Sequence, residues 1–150
     1  MKKFFVIGNP IEHSLSPTVH QHWFEKNNVK ATYEKKLLEE KDLKNIIKDI
    51  KNDHVAGINV TVPFKQKIIP LLDELSTVAQ STLSVNTIYK KNNKVIGDNT
   101  DVGGFQKSLM DNISKESIKS ALLIGAGGVA PSIVYALKTL GVAQIFIANR

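Results

Sequence analysis

Short apolar, β-branched runs alternate along this chain with amphipathic stretches of helical period, and that alternation restricts the fold more than any other feature. "KKFFVIGN", "SPTVHQHWFEKN", "KATYEKKLL", "EKDLKNIIKDIK" and "HVAGINVTV" succeed one another, the rhythm of βαβ units whose parallel strands are covered by the intervening helices. Two further strand segments, "SVNTIYKK" and "NKVIGDN", meet through Asn92-Asn93, a pair suited to a tight hairpin, so the sheet should be mixed. "DVGGFQKSLMDN" then reads as a helix and "ISKES" as a polar connection, before a new strand "IKSALLIG" enters "AGGVAPSIVYALKTLG" and "VAQIFIANR". The expected architecture is α/β. Residues 1-112 form a mixed, mostly parallel sheet with helices on both faces, and residues 113-150 form the first βαβ unit of an incomplete Rossmann domain. The boundary is expected near residues 112 to 118. A strand, a helix and one more strand cannot bury both faces of a sheet, so apolar surface there should drive homodimerisation or looser self-association.

Composition narrows the chemistry. With 42% hydrophobic and 23% charged residues the chain has the make-up of a globular protein, not of a disordered one. It contains no cysteine and four scattered histidines, which excludes thiol chemistry and leaves no metal-ligand cluster. "MKKFFVIG" opens like a secretory signal, but its apolar stretch is halted by "GNPIEH", far short of a signal core or a membrane span. It reads as a buried first strand in a cytoplasmic protein. The formal charge of +6 would suit nucleic acid, an acidic membrane or small anions. The lysines, however, are interspersed with Asp and Glu in "YEKKLLEEKDLKNIIKDIKNDH", where Leu38, Leu43, Ile46, Ile47 and Ile50 mark the inner side of a solvated helix. Aromatics do not interleave with basic clusters as a stacking platform for nucleic acid would require.

Several polar residues ask for partners. In "GNPIEHSLSP" Ser14 and Ser16 stand two apart, so an extended backbone would point both hydroxyls the same way. Ser16 is expected to cap a helix beginning at Pro17, and both hydroxyls beside a helix N-terminus could hold a carboxylate. "INVTVP" alternates, with Asn59 and Thr61 on one face and Val60 and Val62 on the other; Asn86 in "SVNTIY" is a third polar residue in an apolar strand, and together they suit a polyol. Lys65 falls where a helix "KQKIIPLLDE" should start, an unfavourable end for a cation, so it needs another reason to be there. Asp101 begins a later helix and could pair with it. Finally "LLIGAGGVAPSIVYAL" fits the G-x-G-x-x-A dinucleotide turn between a strand and a helix. The following strand ends in Asn149-Arg150 rather than in an acid, which favours NADP, since a guanidinium can pair with the 2′-phosphate that a carboxylate would repel.

Taken together, "GNPIEHSLSP", "NVTVPFK", "VNT", "GDNTD" and "GAGG" followed by "NR" give the whole chain an order and spacing that resembles the shikimate dehydrogenases. The resemblance implies an NADP-dependent oxidoreductase that reversibly reduces 3-dehydroshikimate to shikimate, in the biosynthesis of chorismate and the aromatic amino acids. It implies that Ser14 and Ser16 bind the substrate carboxylate and that Asn59, Thr61, Asn86 and Asp101 hold ring hydroxyls. Lys65 and Asp101 would be the catalytic pair. Gly125, Ala126, Gly127, Gly128, Val129 and Ala130 would cradle the pyrophosphate, and Asn149 and Arg150 would begin the 2′-phosphate site. Hydride addition to a ketone leaves an alkoxide that needs a proton, and the Lys65 amine can supply it or take it back.

Two local departures bear on the ring pocket. The family commonly has Gly-Ala before "VNT" and a glycine after "GDNTD", where this chain has Leu83-Ser84 and Val102. Family members also carry a complete nucleotide domain and a later segment with a substrate-binding glutamine. The 150-residue chain is therefore expected to be weak or inactive alone. Its alternatives are a non-catalytic shikimate-binding module and a relative that also accepts quinate or prefers NAD.

Overall fold

The structure is a computed structural model that describes residues 1–114 and 118–150. Most of the "ISKES" connection, and with it part of the expected boundary, lies outside the described residues. The first sheet contains β1 (Lys2–Gly8), β2 (Ala31–Leu37), β3 (Gly57–Val60), β4 (Glu74–Leu75), β5 (Thr87–Lys91) and β6 (Lys94–Asp98), in the spatial order β2-β1-β3-β5-β6-β4. Strand β1 runs parallel to β2 and β3, whereas β5 is antiparallel to both β3 and β6. The sheet is mixed, as expected. Asn92 and Asn93 adopt φ of 50° and 61°, the left-handed pair that a two-residue hairpin requires, and asparagine tolerates it better than other side chains.

Both faces of β1 are covered. Val6 and Ile7 point to opposite sides of the sheet, and both are buried. Ile7 joins the main core with Leu38 and with Leu43, Ile46, Ile47 and Ile50 from α2 (Leu43–Lys51). Val6 joins a smaller cluster with Ile11 and Tyr33, against which Phe24 of α1 (Ser16–Lys26) packs. One helix thus covers each side, and the inner residues of α2 are four of the five that the helical period marked; Leu38, the fifth, is buried in the connection after β2.

Two expectations give way. No α-helix forms over "KQKIIPLLDE": residues 65–68 are turns, followed by a single 3₁₀ turn at Ile69–Leu71. Pro70 has no N–H for the helical ladder and its ring crowds the carbonyl four residues back, so a helix cannot run through it. Helix α1 begins at Ser16 itself, and no side chain caps it from Leu15. Leu15 has φ −90° and ψ −1°, so the stretch between Ser14 and Ser16 is a turn, not the extended segment expected. Ser14 takes over the end of the helix, its Oγ accepting the Ser16 N–H at 3.3 Å.

Helix α3 (Thr77–Thr82) connects β4 to β5 within the first sheet, and α4 (Asp101–Met110) leads from it toward the second, which contains β7 (Ser120–Ile124) and β8 (Gln144–Ala148) joined through α5 (Ala130–Thr139). The two strands are parallel, with Ser120 opposite Gln144 and Ile124 opposite Ala148. Helix α4 packs on α5, where Gln106 Nε2 donates to Thr139 Oγ1 at 2.6 Å. Leu122, Ile124, Phe146 and Ile147 remain more than half exposed.

Candidate active site

Strand pairing assembles the polar residues. Asn59, near the end of β3, lies opposite Thr87 at the start of β5, and Thr87 lies opposite Asp98 at the end of β6. Three strand ends therefore meet, with Asn86 just before β5 and Asp101 at the first position of α4. Lys65 reaches the same place from the turn after β3, where its carbonyl accepts the Val85 N–H at 2.9 Å.

Lys65 and Asp101 form an ion pair, with Nζ 2.5 Å from Oδ2 and side chains only 12% and 25% exposed. Capping alone therefore does not account for Asp101. Its other oxygen, Oδ1, accepts from Asn86 Nδ2 at 2.7 Å. Asn86 is itself held: its Oδ1 accepts the Thr100 N–H and the Thr87 hydroxyl, each at 2.9 Å. Asn59 Nδ2 donates to the Asn86 carbonyl and to Thr87 Oγ1, each at 3.1 Å, and its Oδ1 accepts the Tyr33 phenol at 2.6 Å. A continuous set of hydrogen bonds thus joins Tyr33, Asn59, Thr87, Asn86, Asp101 and Lys65. The amides of Asn59 and Asn86 have protein partners on both their nitrogen and oxygen, and that of Asn86 orients the carboxylate that faces the amine.

Ser14 and Ser16 lie at the start of α1, both partly exposed. Ser16 lies beside the same network. Burial pushes the Tyr33 phenol up to about 12, against the smaller opposing effect of the Ser16 hydroxyl. The ring stacks on His20 with centroids 4.1 Å apart, and burial lowers the His20 pKa. Thr61 follows β3, with its N–H bonded to the Ile7 carbonyl at 2.9 Å. Beside it Gly8 has no room for a side chain: a Cβ there would sit 2.6 Å from Thr61 Cγ2. Val62, expected inward with Val60, is 57% exposed because the strand stops at Val60.

The glycine turn behaves as its sequence suggests. Gly125 has φ +105°, which side chains rarely adopt, and Gly127 and Gly128 face open space. The Gly125 N–H bonds the Ala148 carbonyl at 2.7 Å and the Ala126 N–H bonds Asn149 Oδ1 at 3.2 Å, so Asn149 shapes the turn. Val129 precedes α5 and Ala130 is its first, buried residue; the first turn of α5 carries no acid. A groove of about 460 Å³ runs between Ile124, Gly125, Ala148, Asn149 and Arg150. An open backbone turn at a helix N-terminus, with a guanidinium at one end of the groove, fits a dinucleotide phosphate chain. A smaller hollow of about 210 Å³, lined by Val62, Pro63, Lys65, Gln66 and Gly128, links that turn to the lysine.

Three residues of this site were not singled out from the sequence: Tyr33, Thr87 and Thr100. Thr87 and Thr100 lie inside "VNT" and "GDNTD", and the pairing of β3 with β5 would have pointed to Thr87. Tyr33 carried no signal beyond its place in a strand.

Residues 6–88 match the family model described as the shikimate dehydrogenase substrate binding domain. A protein of Pelagibacter ubique named shikimate dehydrogenase (NADP(+)) is 51% identical over 149 residues, which are 99% of this chain and 56% of that protein. The crystal structure of shikimate dehydrogenase from Aquifex aeolicus superposes with a TM-score of 0.93 at 40% identity, covering 100% of this chain and 56% of that one. The Thermus thermophilus shikimate 5-dehydrogenase, solved in complex with NADP(H) and shikimate, gives a TM-score of 0.91 at 32% identity, covering 100% and 56%. The chain spans about half the length of these proteins.

Proposed function

Because this chain belongs to the shikimate dehydrogenase family, we propose that it carries the substrate site and the proton-transfer pair of an NADP-dependent reduction of 3-dehydroshikimate to shikimate. Residues 1-112 are the substrate-binding domain and residues 113-150 begin the nucleotide domain. In this reading the protein acts in the cytoplasm, in the route to chorismate and the aromatic amino acids.

The observation that carries the proposal is the Lys65–Asp101 pair: an amine and a carboxylate 2.5 Å apart and largely sequestered, bordering the same hollow as the glycine turn. NADPH, when bound, would supply the hydride. The Lys65 ammonium then donates a proton to the alkoxide oxygen, and in the oxidative direction the amine removes it. Asp101, held by Asn86, fixes where the ammonium points and balances its charge. Ser14 and Ser16 take the substrate carboxylate at the start of α1, and Asn59, Thr61, Asn86 and Asp101 hold ring hydroxyls, with Asn59 and Asn86 also orienting their neighbours. Gly125 to Ala130 would hold the pyrophosphate, and Asn149 and Arg150 would begin the site for the 2′-phosphate.

Calorimetric titration with shikimate tests the site. The chain should bind shikimate saturably, with Lys65→Ala and Ser14→Ala each weakening affinity by about tenfold or more, the effect of losing a hydrogen bond to a charged group. A folded chain that ignores shikimate at millimolar concentration overturns the proposal. The exposed apolar residues of β7 and β8 favour a second reading for these 150 residues taken alone, binding without turnover. Shikimate-dependent reduction of NADP, read by absorbance, separates the two.

A further inference from the structure

A second polar cluster lies where the end of α3, the connection from β6 to α4 and the start of α5 meet. The chemistry above does not use it, yet it is more deeply buried than the reacting pair. Thr82, Ser84, Asn99 and Ser132 are between 0% and 4% exposed. Burying so many polar groups is unfavourable unless each finds a partner, and among the described residues no buried side-chain nitrogen or oxygen lacks one.

Asn99 is the hub. Its Nδ2 donates to Ser132 Oγ of α5 at 2.8 Å, and to Thr82 Oγ1 and the Ser84 carbonyl, each at 3.0 Å. Its Oδ1 accepts the backbone N–H of Asp101 at 3.0 Å. Beside it Ser84 Oγ donates to the carbonyl of Gly128 at 3.1 Å. Two side-chain hydrogen bonds therefore cross from the first sheet to the glycine turn and its helix. Between Thr82 and Ser84 the chain passes through Leu83 with φ 47°, its side chain 62% exposed. A leucine is held in the left-handed region only where its surroundings over-determine it, and here the bend lets the residues on either side both face the cluster.

We infer that Asn99 is a positioning residue that couples the glycine turn and α5 to the Asp101–Lys65 pair, with Ser132 as its contact on the nucleotide side and Ser84, whose carbonyl it holds, as the neighbour that reaches Gly128. The inference rests on the roles proposed above for Asp101 and for residues 125–130. One end of a planar amide holds α5 and the other holds the Asp101 backbone, so a shift of α5 turns the amide and moves the carboxylate. Little water can reach the cluster to replace a broken bond, so movement at one end is transmitted, not absorbed. Both oxygens of Asp101 are already engaged by Asn86 and Lys65. A dinucleotide seated on the turn would thereby tighten the geometry of the pair.

Ser132→Ala and Ser84→Ala test this without touching Lys65, Asp101 or a glycine. The first readout needs no ligand: amide hydrogen exchange at Asp101. Coupling through Asn99 predicts that Ser132→Ala speeds exchange of the Asp101 N–H by up to about tenfold, the worth of one hydrogen bond. A change confined to α5 overturns the inference. If Ser132→Ala does not fold, Ser132→Cys, which weakens the same bond to Asn99, gives the same readout. The second readout is shikimate affinity with and without saturating NADP. Wild type should bind more tightly with NADP, and the double variant should bring that ratio toward one while affinity for shikimate alone stays within about twofold. A ratio of one in wild type, or an unchanged ratio in the variant, overturns the inference. A wild type that binds neither ligand instead removes the functional reading, and the exchange result still decides whether Asn99 links α5 to Asp101.

Discussion

Tyr33 shows how one side chain can serve packing and the site together. Its ring lies on His20 beside the smaller core, while its phenol donates to Asn59. Burial raises its pKa from the ordinary 10 to about 12. The folded state therefore keeps this proton longer than the unfolded chain does. The stability linked to it is fully present below pH 10 and is lost as pH climbs toward about 12. In a tyrosinate absorbance titration, one of the three tyrosines should ionise late, and Tyr33→Phe should remove that step. Three tyrosines titrating together near the ordinary value would show that the phenol is not sequestered.

Among the elements, β3 places Asn59, and its position depends on a close approach at Gly57. A Cβ there would meet the Ile88 carbonyl oxygen at 2.9 Å and two carbons of the Phe4 ring at 3.5 Å. Backbone in a paired strand cannot yield as a side-chain tip can. Gly57→Ala should therefore destabilise the fold by about 1–3 kcal/mol, the usual cost of overpacking, read as a lower urea midpoint. It should also disturb the Asn59 contacts with β5. An unchanged midpoint would show that β3 and β5 separate without penalty. The turn after β3 makes a related point: Lys65 needs no helix, because the Val85 N–H anchors its carbonyl and Asp101 directs its amine.

For the whole molecule, the two sheets differ in how well they are covered. The first has a helix on each face, whereas the second leaves Leu122 at 63%, Ile124 at 87% and Phe146 at 57% exposed. Apolar side chains on a two-stranded sheet favour association with another surface. Light scattering of the 150-residue chain should show concentration-dependent self-association, reduced when Leu122, Ile124 and Phe146 are replaced by lysine. A monodisperse monomer at high concentration would refute this. Among the described residues no helix is long and apolar enough to cross a membrane.

The sequence by itself determined the alternation of strands and helices, the Asn92-Asn93 hairpin, the inner face of α2 and the strand, glycine turn and helix from residue 120 onward, because these depend on local periodicity and on residues with restricted backbone preferences. It also drew attention to Lys65, Asp101, Asn86 and the serines, since polar groups in apolar or turn-forming surroundings stand out. Only the tertiary structure decided what those groups touch. The partnership of Lys65 with Asp101 spans 36 positions and arises where β3, β5 and β6 end side by side. The helix expected at Lys65 gave way to Pro70, and the extended path expected between Ser14 and Ser16 gave way to a turn. Tyr33 and Asn99 were invisible as site residues, because a hydrogen bond between distant segments leaves no period in the sequence. Their importance lies in the positions that folding gives to their partners.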